Sequence, residues 1–339
     1  MLSVQRRTAG VVVALVGAVF VLSAVVNHLF AVGPAFERLT DGFRPAMQAE
    51  PITTLNSDLA GLQAVTEEFG TTAVPMLSTA LQMTPEEFTA FMGEQFPDVA
   101  TGIQQLPAIV TNFQGVVGTL EAEQQRFASA DAIPTTSLPA TTVPWGLLIA
   151  GIVLILIGIA IATVPGRIAP VAAIAVGALL VAAPLALSLP RKAADADTMN
   201  AHLKPVYTAE MLTGAKASLA TVGAMGTQMQ EQMLPALGTQ LGMDQAALQT
   251  FLQENLPAMG AGMQAMPDAM GRFTATVQLF EAHLGDYDTM KDVTLEPIVW
   301  TIVAGGAVAL IAGLWALVAG RRPTAVPEEV PARQHPVGV

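Results

Sequence analysis

Among the residue types in this sequence, methionine has the spacing that most resembles a set of metal ligands. One series recurs every fourth residue at Met225, Met229 and Met233, and a second comprises Met259, Met263, Met266 and Met270. Thioethers are soft ligands that suit Cu(I), so a copper site is one interpretation. The sequence contains an internal repeat, described below, and its first copy has apolar residues that cannot bind a metal at these positions: Val65, Phe69, Ala73, Val99, Ile103, Leu106 and Val110. Because methionine is also an adaptable core residue, we expect all seven to be buried and predict no metal site.

Histidine and aspartate give weaker signals. No two of the four histidines, His28, His202, His283 and His335, have the spacing of neighbouring ligands on a helix. Structural or surface roles are therefore expected for them. Asp286, Asp288 and Asp292 loosely resemble an oxygen-ligand loop, but the glycine and terminal glutamate of a calcium loop are missing. We expect a solvated turn there.

Catalytic motifs are missing from the sequence. It contains no G-x-S-x-G, H-E-x-x-H or phosphate-binding G-x-x-x-x-G-K motif, and no dinucleotide fingerprint. Since there is no cysteine, disulfides, thiolate zinc sites and cysteine nucleophiles are excluded. The sequence therefore predicts a protein that is not an enzyme, without catalytic, cofactor-binding or metal-binding residues.

The composition is that of a membrane protein. Of the 339 residues 52% are hydrophobic and only 12% are charged, whereas about a quarter are charged in soluble domains. A transmembrane helix needs about 20 apolar residues, and four runs without Asp, Glu, Lys or Arg are long enough: 11–32, 145–166, 168–190 and 298–320. Ionisable groups within spans mark ion and proton pathways, so their absence counts against a pump or an ion-coupled transporter.

Charge is distributed unevenly between the remaining segments. The short segments 1–10, 167 and 321–339 hold six basic and two acidic residues, a net charge of +4. The long segments 33–144 and 191–297 hold nine basic and 25 acidic residues, a net charge of −16. Basic residues flanking spans favour the cytoplasmic side, which predicts cytoplasmic termini and two extracytoplasmic domains. Arg191 and Lys192, just after the third span, argue the other way. We do not expect nucleic acid as a partner, because the long segments are acidic and phosphate binding requires a basic surface.

An internal repeat defines the predicted organisation. At one constant offset, without a gap, Pro45, Pro75, Pro97 and Pro107 coincide with Pro205, Pro235, Pro257 and Pro267. We call this the repeat offset. At the same offset Phe91 and Phe113 coincide with Phe251 and Phe273, and the first span coincides with the third. After a shorter linker, Pro144 pairs with Pro297. The sequence therefore predicts two copies of a unit made of a span, an external domain and a span.

The repeat also bears on how the N-terminus is processed. The first span, preceded by Arg6 and Arg7, could be a cleaved signal peptide. Its counterpart in the second copy is internal and cannot be one. The first span is therefore expected to be a retained signal anchor.

The external segments have helical signals only. Leu55, Leu59, Leu62, Val65 and Phe69 lie on one face of a helix. Thr84-Pro85-Glu86-Glu87 is a capping box that predicts a short helix. We expect an all-α fold with two homologous helical bundles, their helices broken at prolines. Residues 130–144 are predicted to be an extended linker, and 321–339 a disordered cytoplasmic tail.

Two further sets of residues have more than one interpretation. Small residues recur at helix-packing spacing in the spans, which indicates either close helix contacts or only an Ala- and Gly-rich composition: Gly10 and Gly17, Gly151 and Gly158, Ala173 and Gly177, Gly306 and Gly313. Polar residues shared by both copies are equally compatible with binding or with capping and exposure, so none is assigned to a site: Glu50/Glu210, Thr53/Thr213, Thr79/Thr239, Glu94/Glu254, Gln104/Gln264 and Glu121/Glu281.

These features favour a non-enzymatic protein of a bacterial inner (plasma) membrane. Few Lys relative to Arg, with much Ala, Gly and Val, suggests a GC-rich genome. We expect the external domains to serve protein interaction or scaffolding, with other membrane or envelope proteins as partners. The alternative is a module that binds a lipid or another hydrophobic ligand, or an accessory subunit of envelope transport. The short link between the second and third spans predicts that these spans are neighbours and that the external domains pack against each other.

Overall fold

A computed structural model describes residues 4–135 and 138–319 of the chain, and every regular element in these ranges is a helix. The predicted tail 321–339 lies outside the described residues. In chain order the helices are α1 (Val4–Val26), α2 (Leu29–Phe43), α3 (Ala49–Glu68), a π-helical turn (Phe69–Ala73), α4 (Val74–Ala80), α5 (Pro85–Gln95), α6 (Pro97–Asp131), α7 (Thr142–Thr163), α8 (Ile168–Ala186), α9 (Leu189–Leu203), α10 (Ala209–Gln228), a second π-helical turn (Met229–Met233), α11 (Leu234–Leu241), α12 (Gln245–Asn255), α13 (Pro257–Met290) and α14 (Glu296–Ala319).

Four helices, α1, α7, α8 and α14, are long and apolar enough to cross a membrane. They belong to one compact unit, and glycines bring them close together. A Cβ atom added at Gly10 would lie 2.5 Å from the carbonyl oxygen of Gly158, and one added at Gly177 would lie 2.6 Å from that of Gly306. Such contacts are only open to residues without a side chain. The small residues at helix-packing spacing therefore join α1 to α7 and α8 to α14.

The C-terminal end of α7 is capped by an arginine of α1. Arg6 is buried and donates hydrogen bonds from Nε to the carbonyl oxygen of Ile161 (3.1 Å) and from Nη2 to that of Val164 (2.9 Å). The last carbonyls of a helix lack partners within it and carry partial negative charge. Arg6 therefore both satisfies these groups and fixes the first apolar helix against the second.

Two of the predicted spans contain a break in the helix. Helix α1 ends at Val26, and His28 has a φ of 52° in the left-handed region; helix α8 ends at Ala186, and Ser188 has a φ of 54°. His28 and Ser188 coincide at the repeat offset, so the break occurs at the same place in both copies. Val32, at the end of the predicted span 11–32, accordingly lies in α2 and is buried in a different core.

The second compact unit, which we call the head, consists of residues 30–142 and 189–296. We refer to these as the first and second head segments. They do not form two separate bundles, because buried residues of both belong to one hydrophobic core. Helix α6 packs against α3 of its own segment and against α9 and α10 of the other, and α13 packs against α3, α10 and α12. The expected packing of the two segments against each other is thus present as a shared interior.

Several backbone features of the head also recur at the repeat offset. Each π-helical turn directly precedes a helix with proline at its second position, Pro75 or Pro235. The amide of Val74 bonds to the carbonyl five residues back, at Phe69, and that of Leu234 does the same with Met229. A proline ring clashes with the carbonyl four residues before it, so a wider turn at this point lets the helix continue.

The Thr84 capping box is formed as predicted and starts α5.

Other prolines interrupt the helices less than the sequence suggested. Helices α6 and α13 continue through Pro107 and Pro267, so the prediction of a break at each proline was wrong. An interior proline costs about 3 kcal/mol. Burial of Leu106, Ile109 and other residues around it in the shared core offsets that cost.

Candidate functional site

The two head segments hold each other through reciprocal helix caps. Glu68, the last residue of α3, accepts hydrogen bonds from the amides of Ala258 (3.2 Å) and Met259 (2.7 Å) at the start of α13. Gln228, the last residue of α10, accepts them through Oε1 from Asp98 (2.8 Å) and Val99 (3.0 Å) at the start of α6. Free amides at a helix N-terminus need such partners. Each segment therefore caps the long helix of the other.

Packing between the segments is reciprocal as well. Phe113 in α6 and Phe273 in α13 occupy matching positions of the two copies, and their rings meet edge to face with centroids at 5.0 Å. Gly102 in α6 gives room to Met225 of α10, and Gly262 in α13 gives room to Val65 of α3. The Phe113–Phe273 contact joins the two long helices, and α3 and α10 each pack against both of them. We call the surroundings of α3 the α3 side of this contact and those of α10 the α10 side.

A largely apolar concavity of the described head lies on the α10 side of this contact. A cleft of about 670 Å³ opens between α6, α10 and α13, and Leu55 of α3 and Pro205 and Val206 before α10 also line it. Its walls include Phe113, Val116, Leu212, Phe273, Val277 and Phe280. No Asp, Glu, Lys, Arg or His lines it. Pockets for small ligands commonly have volumes of roughly 300–1,000 Å³ and mainly apolar walls, so this cleft is the candidate binding site.

A second cleft, of about 650 Å³, lies within the second head segment between α11, α12 and α13. Its rim is much more polar, because five glutamines contribute to it: Gln230, Gln245, Gln249, Gln253 and Gln264. Amide side chains on an exposed helix surface form hydrogen bonds with water. This second cleft is therefore less suited to an apolar ligand than the first.

The methionine series lies in the shared core, as the comparison of the two copies predicted. Met225, Met229, Met233, Met259 and Met266 are buried, and Met263 and Met270 are partly buried against them. Several of them line a void of about 20 Å³ next to Val65 and Phe69. Such a void is close to the smallest that admits a single water molecule. The methionines thus fill space between α3, α6, α10 and α13.

One histidine participates in a buried charged cluster between the segments. Glu123 of α6 is 2% exposed, and its Oε1 lies 2.6 Å from Nδ1 of His202 and 2.8 Å from Nη1 of Arg126. At the matching positions of the other copy, His283 lies against Gly42. The contact between Glu123 and His202 and the contact between His283 and Gly42 therefore involve corresponding helix positions occupied by different residues. His28 lies at the break after α1, and His335 lies outside the described residues.

The three aspartates near the end of α13 are each paired with a cation. Asp286 pairs with Arg38, Asp288 with Lys291 and Asp292 with Lys204. The hydrogen bond from Arg38 holds the pKa of Asp286 below its usual range, against the opposing effect of partial burial. Asp286 and Asp288 lie on the helix itself, so the expected turn begins only after Met290.

Two buried tyrosines lie close to these aspartates. The rings of Tyr207 and Tyr287 are stacked at 4.5 Å, and the Tyr207 hydroxyl donates a 2.6 Å hydrogen bond to the carbonyl of Phe280. Burial raises the pKa of both phenols, that of Tyr287 to about 12. Both therefore remain protonated donors at neutral pH.

Of the polar residues shared by the two sequence copies, Thr239 and Gln264 both line the second cleft, whereas Glu121 and Glu281 lie elsewhere. Glu121 bonds to Asn56 and Glu281 to Lys216 on exposed surfaces. The hydroxyls of Thr53, Thr213, Thr79 and Thr239 each donate to the carbonyl four residues earlier. The contacts of these six residues are those of helix structure and of an exposed surface.

Sequence reasoning did not identify the cleft. It searched for polar residues that both copies share, whereas the cleft lies where the copies differ. The available signal was a pair of oppositely charged residues, Asp58 in the first copy and Arg272 in the second, whose corresponding positions hold Ser218 and Asn112.

Within the described residues, no group of three or more His, Asp or Glu side chains is placed to hold a metal ion. Comparison of the chain with family models, curated proteins and solved structures gives no match in any of the three.

Proposed function

We propose that this chain is a non-enzymatic membrane protein of a bacterial cell envelope whose head acts as a binding module. It spans the plasma membrane four times, with both termini in the cytoplasm and the head outside. The net charge of −16 in the two long segments, against +4 in the short ones, supports this orientation.

The orientation is directly testable because the natural chain has no cysteine. Single cysteines replacing Gln82 and Gln253, both exposed in the head, should react with a membrane-impermeant maleimide in intact cells. A cysteine replacing Thr324 should react only after permeabilisation. The opposite labelling pattern would refute the orientation.

We further propose that the chain arose by duplication of a unit consisting of a span, a head segment and a span. The matching proline positions, the two π-helical turns and the two left-handed breaks all support one common offset. Both units run in the same direction through the membrane. An approximate twofold axis along the membrane normal would relate them.

The first candidate role is protein interaction or scaffolding. The acidic head favours a partner with a basic surface, and attraction between the two would weaken as salt increases. Large apolar side chains are nearly missing from the described outer surface of the head, where only Phe30 and Leu138 are strongly exposed. A partner would therefore bind mainly through polar contacts.

The second candidate role, binding of a lipid or other hydrophobic ligand, has the more specific support. The observation that carries it is the uncharged cleft of about 670 Å³ beside the Phe113–Phe273 contact. A head with a polar exterior and an apolar cleft is suited to holding an apolar molecule away from water.

One preparation distinguishes the two roles. The protein is extracted with a mild detergent, and the sample is divided between protein mass spectrometry and organic-solvent extraction. Stoichiometric lipid without a co-purifying protein would support ligand binding. A co-purifying protein that is released by salt, without bound lipid, would support scaffolding.

A further inference from the structure

The cleft exists because the two sides of the Phe113–Phe273 contact are built with different side chains. On the α3 side, Arg272 of α13 donates two hydrogen bonds of 2.7 Å to the carboxylate of Asp58. This ion pair ties the two helices together. The Asp58 side chain is 10% exposed and that of Arg272 is 39% exposed, so the carboxylate lies within the interface and the guanidinium reaches the surface.

On the α10 side the corresponding positions cannot form that bridge. At the repeat offset, Ser218 takes the place of Asp58 and Asn112 takes the place of Arg272. Both line the cleft. Further along α10, Gly214 and Ala215 stand where α3 has Thr54 and Leu55. The side chains on this face of α10 are therefore smaller than those on the corresponding face of α3, and the cleft occupies the difference in volume.

The chemistry of the walls defines what fits. Aromatic and aliphatic side chains predominate, and none of the lining residues is charged. The hydroxyls of Thr111, Thr119 and Thr276 donate to carbonyls of their own helices, at Pro107, Gly115 and Arg272. They are thus not aimed at a polar ligand. The surface suits hydrocarbon, and it excludes a charged group because such a group would lose its hydration without finding a partner.

We propose that this cleft binds the hydrocarbon chain of a membrane lipid, and that the Asp58–Arg272 ion pair prevents binding at the corresponding place on the α3 side. This inference rests on the second proposed role and makes it specific: one acyl-chain site for each molecule, between α6, α10 and α13. The duplicated scaffold would have kept one side for structure and used the other for binding.

The experiment uses the full chain in polymer-bounded lipid discs, with two photoactivatable probes, a free fatty acid and a phosphatidylglycerol carrying the same acyl chain. We expect crosslinks in peptides that contain residues 111–119 and 211–218. Labelling by the phospholipid alone would identify a membrane lipid as the source of the chain. Labelling by the fatty acid alone would contradict the membrane-lipid assignment while retaining the acyl-chain site.

Two variants close the cleft in different ways. The double variant Asn112→Arg with Ser218→Asp introduces the equivalent of the Asp58–Arg272 ion pair at the cleft. The variant Ala215→Leu adds side-chain volume to the cleft, and leucine is the residue at the corresponding position of α3. Each should lower crosslinking at least about tenfold, equivalent to about 1.4 kcal/mol. Ala217→Leu, at an exposed position of the same helix, is the matched control and should leave crosslinking unchanged.

The reverse exchange, Asp58→Ser with Arg272→Asn, should add crosslinks to peptides of α3. If the wild-type chain is not crosslinked by either probe, ligand binding itself fails. If it is crosslinked, but the folded cleft-closing variants are crosslinked equally, only the assignment to this cleft fails. A cooperative thermal unfolding transition establishes that each variant is folded. If the double variant Asn112→Arg with Ser218→Asp does not fold, Ala215→Leu alone tests the assignment to this cleft.

Discussion

The two sides of the head differ in what lies beside the same aromatic contact. On the α3 side, Asp58 and Arg272 bridge two helices; on the α10 side, Ser218 and Asn112 border a cleft. The helices on both sides begin and end at corresponding positions, since α3 and α10 each have 20 residues and α6 and α13 have 35 and 34. The difference therefore resides in side chains, and a few substitutions suffice to give one half of a symmetric scaffold a surface that the other half lacks.

Contacts that stabilise the scaffold recur in both copies, whereas several of the cleft-lining residues differ between them. Glu68 and Gln228 cap corresponding amides of the opposite long helices, although Glu68 is charged and uses both carboxylate oxygens and Gln228 is neutral and uses Oε1 alone. Gly102 and Gly262 both accommodate a side chain from the other segment. Structural contacts thus tolerate conservative exchange, whereas the cleft depends on the size and charge of specific side chains.

The largest predicted effect tests the aromatic contact at the centre of this comparison. Phe273 is 3% exposed, so Phe273→Ala should lower the free energy of unfolding by about 3–5 kcal/mol. Phe113 is only partly buried, although both rings border the cleft. Phe113→Ala should cost less, roughly 1–2 kcal/mol by lost apolar burial. Denaturant titration of the full chain in detergent measures both.

Equal losses in the two phenylalanine variants would contradict the asymmetry, because they would mean that both rings are equally enclosed. A ligand in the cleft would raise the cost of Phe113→Ala by the binding energy it removes, so the measurement is made with and without added lipid.

The reciprocal caps provide the second test. Glu68→Ala and Gln228→Ala each leave two amides without a side-chain partner, and each should cost about 1 kcal/mol. Glu68→Gln keeps the acceptor but removes the charge near the start of α13, for an expected loss of about 0.3–1 kcal/mol. Thermal unfolding measures these changes. Alanine at the exposed neighbours Glu67 and Gln230 should have little effect, and equally large losses there would indicate that capping is not responsible.

Much of the fold could be predicted from the sequence because its signals are local. The four apolar helices follow from run length, and the start of α5 follows from Thr84 and Glu87. The positions of the breaks after α1 and α8 could not be predicted, since His28 and Ser188 adopt their left-handed conformation without any glycine to signal it. Continuation through Pro107 depends on tertiary burial, which local rules do not include.

Alignment of the second and fourth spans shows a similar limit. The sequence pairs Pro144 with Pro297. The helix contacts instead pair Gly151 with Gly306, because these two residues lie against Gly17 and Gly177, which match at the repeat offset. This different alignment also places Trp145 on Trp300. Proline position is set by the linker, whereas glycine position is set by the packing of the spans.

The cleft was missed for a related reason. Its residues come from α6, α10 and α13, which only the tertiary fold brings together. Ser218 and Asn112 stand far apart in the sequence, and neither position has a local pattern that indicates a binding surface. A site of this kind depends on which side chains are missing from a contact, and that contact is not visible before the helices are packed.

The smallest predicted effect concerns an ion pair found on one side only. Arg38 of α2 donates hydrogen bonds from Nε (3.0 Å) and Nη2 (2.5 Å) to Asp286 of α13, whereas the corresponding positions hold Thr198 and Arg126. The pKa of Asp286 is lowered, first by the hydrogen bond from Arg38 and then by its charge. A carboxyl with a lowered folded-state pKa stabilises the fold above its ordinary pKa of about 4. That stabilisation is lost as pH falls through the folded-state value.

The variant Arg38→Gln should therefore be less stable than the wild-type chain at pH 6, and the gap between them should narrow progressively below about pH 4. Unfolding temperatures measured between pH 6 and pH 3 provide the test. Lys216→Gln, which removes an exposed cation bonded to Glu281 at the head surface, controls for the general effect of one charge on an acidic head. A gap for Arg38→Gln that stays constant with pH, or that matches the control throughout, would mean that the pair contributes nothing specific.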